Sequence, residues 1–177
     1  ALRGQQGAPA DILVVDNAST DGTAEALAPL AEEGVLLYRN TGENVGGAGG
    51  FNLGMRGAVE GGYDRLWGMD DDCIPDPDAL AALLRADAHL RGDYGFLSGI
   101  AYWRDGTPCR MNIQKTSLWS KLEDYTTPLV PVVMATFVSA FIPAHRVREV
   151  GLPIREFFIW SDDLEYTRRL SRKWPCY

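Results

Sequence analysis

The sequence is poor in histidine and cysteine and has no long apolar run. Two histidines in 177 residues, His89 and His145, leave few candidates for nucleophile–histidine chemistry. Three cysteines, Cys73, Cys109 and Cys176, are odd in number and widely spaced. That pattern makes neither a disulfide framework nor a zinc site, and the three read as reduced thiols. The longest apolar stretch, from Leu129 to Pro143, is broken by Thr136, Ser139 and two prolines. It falls short of the roughly 20 residues of a membrane-spanning helix. No segment has the pattern of a signal peptide. Basic residues are also outnumbered, 17 against 24 acids, for a formal charge of −7. Non-specific nucleic-acid binding needs a Lys/Arg surface, so that class drops out.

What is present is ordinary globular material, 46% hydrophobic, of a length that suits one domain. The acidity is local. Asp70, Asp71, Asp72, Asp76 and Asp78 fall within nine residues, and Asp162, Asp163 and Glu165 form a second cluster. With those eight set aside, 16 of the 24 acids remain against 17 bases.

Strand and helix signals alternate along the chain. Asp11 to Asp16 reads as a buried strand followed by turn chemistry from Asn17 to Gly22. A helix to Glu33 is closed by Gly34, and Val35 to Tyr38 is a second strand. A glycine-rich segment, Gly42 to Gly50, leads into a helix over Phe51 to Val59. Asp64 to Met69 is a third strand, and the aspartate triplet follows it directly. Asp76 and Pro77 fit the N-cap and first position of a helix to Leu90. Beyond Tyr94 the spacing predicts strands over Gly95–Trp103 and Val130–Ile142, with an irregular stretch between them. A helical turn follows from His145 to Val150, and a last helix runs from Asp163 to Lys173. This alternation predicts a mostly parallel α/β sheet flanked by helices, with ligands beyond the carboxyl ends of the strands.

Four segments carry chemistry. In Asp70-Asp71-Asp72, alternate residues of an extended segment point the same way, so Asp70 and Asp72 can share one hard cation, Mg²⁺ or Mn²⁺. A solvated acidic loop is the alternative. In Trp160-Ser-Asp-Asp-Leu-Glu165, Asp162 with Glu165 fits a capping box, which leaves Asp163, beside an aromatic run, as a candidate general base. Asn44-Val-Gly-Gly-Ala-Gly-Gly50 allows close backbone approach to a phosphate or sugar, or tight helix packing. It is neither a P-loop nor a dinucleotide fingerprint. Asp16, at a strand end, can accept hydrogen bonds from a nucleobase or ribose.

In this order, VVDNASTDGT, NVGGAGGFNLG, WGMDDDCIPDPDAL and FFIWSDDLEYTRRLSR resemble the family 2 glycosyltransferases of GT-A fold, over Asp11 to Tyr177. The likeness is greatest to rhamnosyl- and galactofuranosyl-transferases of bacterial surface polysaccharides. It implies a nucleotide-sugar half (1–93) and an acceptor half (94–177) within one domain. It implies that Asp16 contacts the base of a nucleotide-diphospho sugar, with Asn44 and Gly47 near the donor. Asp71 would contact ribose and sugar, and Asp70 and Asp72 would hold Mn²⁺ or Mg²⁺. Asp163 would be the general base of an inverting transfer, with Trp160 and Asp162 on the acceptor side. Trp103 and Trp119 are further candidate sugar platforms. The implied donor is UDP- or dTDP-linked and the acceptor a glycan or lipid-linked glycan. The implied location is cytoplasmic, with peripheral membrane attachment of a longer parent.

The resemblance also implies an opening strand before residue 1 and further sequence after Tyr177, so that the fold reads as incomplete at both ends. A piece of this kind is expected to be inactive or poorly stable alone, because a missing central strand exposes apolar edges. Two other readings stand beside the transferase. One is a non-catalytic remnant that binds metal or nucleotide sugar. The other is an aspartate-dependent phosphohydrolase, disfavoured because Cys73-Ile-Pro follows the triplet, which lies mid-chain.

Overall fold

A computed structural model describes residues 1–177. Its strands are β1 (Leu13–Asp16), β2 (Leu37–Asn40), β3 (Arg65–Gly68), β4 (Leu97–Ser98) and β5 (Ala140–Pro143). Its α-helices are α1 (Thr23–Glu32), α2 (Gly46–Glu60), α3 (Ala79–Leu90), α4 (Ala144–Val150) and α5 (Asp162–Ser171). No helix is long and apolar enough to cross a membrane.

The α/β architecture is as expected, but its pairing is mixed. β1 and β2 are parallel, joined by α1 as crossover, with Asp16 opposite Asn40. β3, β5 and β4 form a second sheet in that order, antiparallel throughout. The expected strands over Gly95–Trp103 and Val130–Ile142 shrink to two and four residues. Phe137–Ser139 instead forms a 3-10 turn that feeds β5.

The central strand shows why the core forms where it does. All four residues of β5 are buried, as suits a strand covered on both faces. Successive side chains alternate. Ala140 and Ile142 join a cluster with Leu66, Phe137, Tyr166 and Leu170, while Phe141 joins Leu80, Tyr94 and Leu97 on the other face. The outer edge of β4 is covered by the chain end: the Ser98 amide donates to the Tyr177 carbonyl, and the Tyr177 amide to that of Phe96. An edge so covered is closed to pairing with another chain.

Helix α2 joins the two sheets. Gly54 and Gly57 bring it close to Val15 and Leu13 of β1, and its Phe51 lies against Gly68 of β3. Phe51 also packs on Phe137, ring centroids 4.5 Å apart.

Helix starts differ from expectation at three places. α2 begins at Gly46, so most of the glycine-rich run forms its first turns. α3 begins at Ala79 with Asp78, not Asp76, at the N-cap, and neither side chain caps it. The cap comes from elsewhere: Gln5 Oε1 accepts the Leu80 amide at 2.9 Å. At α5 the N-cap is Ser161, not Asp162, and the Ser161 side chain makes no cap bond; Asp163 Oδ1 takes the first-turn Leu164 amide. Glu165 completes no capping box, because it pairs with Arg169.

Helix α5 is tied to the core by Thr167, which is fully buried. Its Oγ1 accepts the Ala135 amide at 3.1 Å and lies 2.8 Å from the Asp163 carbonyl. Thr167→Val keeps the shape but strands the amide. It is expected to cost about 1–3 kcal/mol in a denaturant melt.

Candidate functional site

The strand ends supply the first residues. Asp16 ends β1 and is buried. Its Oδ1 accepts the Ser19 amide at 2.9 Å. Its Oδ2 accepts the Tyr38 hydroxyl and, at 3.1 Å, the Asn40 amide. These donors, Ser19 first and then Tyr38, hold the carboxyl below the usual carboxylate range, so it stays ionised. Tyr38 and Asn40 were not foreseen. Both lie at the end of β2, and the parallel register brings them beside Asp16.

The next loop is joined to this one. Asn17 Oδ1 accepts the Val45 amide at 3.0 Å, and Asn44 Oδ1 accepts the Gly46 amide at 2.9 Å. The sequence singles out Gly47, yet Gly47 is exposed and a Cβ there would meet nothing within 4 Å. The demanding glycine is Gly46. Its φ is +72°, and an added Cβ would lie 2.7 Å from the Phe158 carbonyl carbon and nearer still to its oxygen. The Ala48 amide donates to that same carbonyl at 3.1 Å. The start of α2 is thereby clasped to the segment before α5.

That segment is aromatic and strained. Phe158, Trp160 and Ser161 have φ of 60°, 69° and 67°, unfavourable for residues with side chains. Phe158, Ile159 and Trp160 are exposed, Trp160 at 81%. Asp162 and Asp163 follow as the first two residues of α5. Asp162 is buried, and Asp163 Oδ1 accepts the Leu164 amide at 2.6 Å.

The two acidic clusters, far apart in sequence, meet here. Asp70 lies above the ordinary carboxyl range, first by desolvation and then through Asp72, Asp71 and Asp162. Asp163 is raised by desolvation, then by Asp162 and Asp70, against the opposing bond from Leu164. Desolvation raises Asp162 as well. Their shared repulsion is of the kind a cation relieves.

Asp70, Asp72 and Cys73 each offer one ligand atom, all within 4.8 Å of one another. The two carboxylates are hard oxygen donors of the kind Mn²⁺ and Mg²⁺ take, so this donor set fits a divalent ion. The Cys73 thiol is pushed up to about 11, chiefly by burial and then by Asp70. Sulfur is also a softer donor than Mn²⁺ or Mg²⁺ prefer, so the two carboxylates are the better ligands of the three. All three cysteines are unpaired.

The structure thus brings Asp70, Asp72, Asp162 and Asp163 into one electrostatic unit, with the whole Asp70–Asp72 triplet at the exposed surface and Asp162 buried behind it. It puts Asp16, Asn44 and Gly46 along a second line that meets Trp160's segment through Phe158. Trp103 lies apart, lining a separate cleft with Met111 and Tyr125, and Trp119 is 94% exposed.

Comparison with known proteins gives the family and the fold. The chain is 27% identical to galactofuranosyltransferase GlfT1 of Mycolicibacterium smegmatis, over 97% of this chain and 59% of that protein. It is 42% identical over 79 residues to the undecaprenyl-phosphate mannosyltransferase of Micrococcus luteus, covering 43% of this chain and 32% of the other. Its fold resembles that of GalNAc-T7 solved with UDP, GalNAc and Mn²⁺, at a TM-score of 0.69 and 14% identity, over 94% of this chain and 36% of that one. The chain therefore spans less than two thirds of the length of these relatives. The family pattern "Glycosyl transferase family 2" matches residues 1–142. This chain belongs to glycosyl transferase family 2.

Proposed function

We propose that this chain is the catalytic portion of an inverting, divalent-metal-dependent glycosyltransferase that uses a nucleotide-diphospho sugar. The observation that carries the reading is the meeting of two acidic clusters, Asp70/Asp72 and Asp162/Asp163, beside the glycine-rich start of α2. Residues 1–93 hold the donor and residues 94–177 supply the acceptor side.

Asp16, kept ionised by Ser19 and Tyr38, faces the nucleobase, and Asn44 and Gly47 lie along the donor. Asp71 contacts ribose and sugar. Asp70 and Asp72 hold Mn²⁺ or Mg²⁺, which when bound offsets the charge that gathers on the departing diphosphate. Asp163 accepts the proton of an acceptor hydroxyl as that oxygen attacks the anomeric carbon. The bond from that carbon to the diphosphate oxygen breaks, and its electron pair leaves with the nucleoside diphosphate. Configuration inverts, and no covalent enzyme intermediate is needed. Trp160 and Asp162 orient the acceptor, a glycan or lipid-linked glycan.

The raised pKa of Asp163 suits a base that must hold a proton briefly, since efficiency favours a value nearer the working pH. A thermal-shift experiment with UDP, with and without Mn²⁺, tests the metal assignment. UDP is expected to raise Tm by several degrees with Mn²⁺ and far less with EDTA. Asp72→Asn is expected to remove the difference. An equal shift with and without metal rejects the assignment.

A further inference from the structure

A cavity of about 480 Å³ lies between α3, β4 and the 122–130 segment, and the mechanism above does not use it. Its walls are mostly apolar, with Trp67, Leu97 and Tyr125 among them. Gln114 is 2% exposed and lines it. Its Nε2 donates to the Gly99 carbonyl at 2.7 Å and to Ser98 Oγ at 2.9 Å. A carbonyl only accepts, so the amide cannot be turned over without setting two acceptors face to face. Gln114 Oε1 is consequently the one buried side-chain oxygen or nitrogen left without a partner. Buried polar atoms are nearly always paired, so this one points to a missing donor.

Ser139 lines the same cavity. Ser139 Oγ accepts the Trp67 indole N–H at 3.0 Å, which leaves its own O–H free to donate. Gly99 makes room for that hydroxyl, since an added Cβ there would lie 2.8 Å from Ser139 Oγ. A ligand hydroxyl, able to give and take one bond at once, satisfies both Gln114 and Ser139. No Lys or Arg lines the cavity, and its one charged residue, Asp124, is already engaged by Thr126 and Thr127. An anionic headgroup has nothing to meet there. Apolar and aromatic walls with a few placed polar groups suit a neutral ring with hydroxyls.

We propose that this cavity is a subsite for one neutral sugar unit of the acceptor, with a ring hydroxyl between Gln114 Oε1 and Ser139 Oγ. Gln114 Oε1 has almost no accessible surface, so this placement requires the sugar to displace the wall beside it. The proposal rests on the transferase reading and adds where its acceptor is held.

The test follows the Gln114 side-chain amide and Trp67 indole N–H signals by NMR in the labelled full-length protein. Methyl glucoside is the neutral sugar probe, n-hexanol the apolar alcohol and inorganic phosphate the anion. Saturable shifts of both signals with methyl glucoside, weakened at least tenfold by Gln114→Met, are expected. Ser139→Ala gives a second reading should Gln114→Met fail to fold, and it too is expected to weaken the sugar. No shift with methyl glucoside, or a shift with hexanol or phosphate alone, overturns the proposal. UDP thermal shifts on the same samples keep the two readings apart. Their loss, with sugar shifts intact, counts against the donor site and not against the cavity.

Discussion

Asp163→Asn is expected to lower sugar transfer by about 10²- to 10⁴-fold, the usual contribution of a positioned general base. UDP binding in the presence of Mn²⁺ should stay near its original strength, because Asp163 acts on the acceptor. Asp162→Asn is the necessary partner experiment. Both residues open α5 and both are raised by desolvation, and Asp163 Oδ1 accepts the first-turn Leu164 amide. The capping argument that set Asp162 aside does not hold in the structure, so kinetics must separate them. A larger loss in Asp162→Asn would exchange their roles. The acid limb of the kcat/KM profile supplies a second readout. A base whose pKa is raised loses activity as pH falls through that raised value, higher than for an ordinary carboxyl.

The same substitution is expected to make the protein more stable. Desolvation in the folded state raises the Asp163 pKa above its unfolded value. Stability from such a group is fully present below the unfolded value and is lost as pH rises through the folded one. At neutral pH the charged carboxylate therefore works against the fold, and asparagine removes that opposition. Tm of Asp163→Asn should exceed that of the parent at pH 7, and the gap should close towards pH 4. A lower Tm at pH 7 would count against the desolvated placement of this residue.

Gly46→Val is expected to have the largest effect on the fold around the site. Two costs add at that position. The φ of +72° is strained for any residue with a Cβ and more so for a β-branched one. The new side chain must also displace the Phe158 backbone, which cannot rotate away as a side-chain tip could. Together these should cost on the order of 3 kcal/mol or more in a denaturant melt. The exposed Trp160 sits two residues beyond the displaced carbonyl, so its fluorescence should change as well. Gly47→Ala is the control. A Cβ there meets open space, so its effect should be within about 0.5 kcal/mol. Equal effects of the two would show that the glycine-rich turn does not touch the aromatic segment.

The contrast between these glycines shows what was legible in the sequence. Asp16 and Asp70–Asp72 could be found because apolar runs mark the strands and acids sit where those runs stop. The α/β fold class followed from the same alternation. Gly46 could not be told from Gly47, because the requirement is imposed by Phe158, distant in sequence. Tyr38 and Asn40 were missed for a related reason. They become partners of Asp16 only through the parallel register of β1 and β2. Helix starts failed where the cap is tertiary: Gln5 serves α3 from 75 residues away. β5 was overextended because an apolar run does not reveal that its first part turns as a 3-10 helix.

The clasp between Gly46 and Phe158 has a consequence for exchange of parts among relatives. Residues 42–50 and 153–163 are shaped to one another at a backbone contact with no slack. A chimera that crosses over between residues 60 and 150 draws these two stretches from different parents. A parent carrying any other residue at position 46 would then be incompatible with this aromatic segment, however similar the rest. Grafts meant to change acceptor preference should therefore move both stretches together, or confine changes to the outward faces of Ile159 and Trp160.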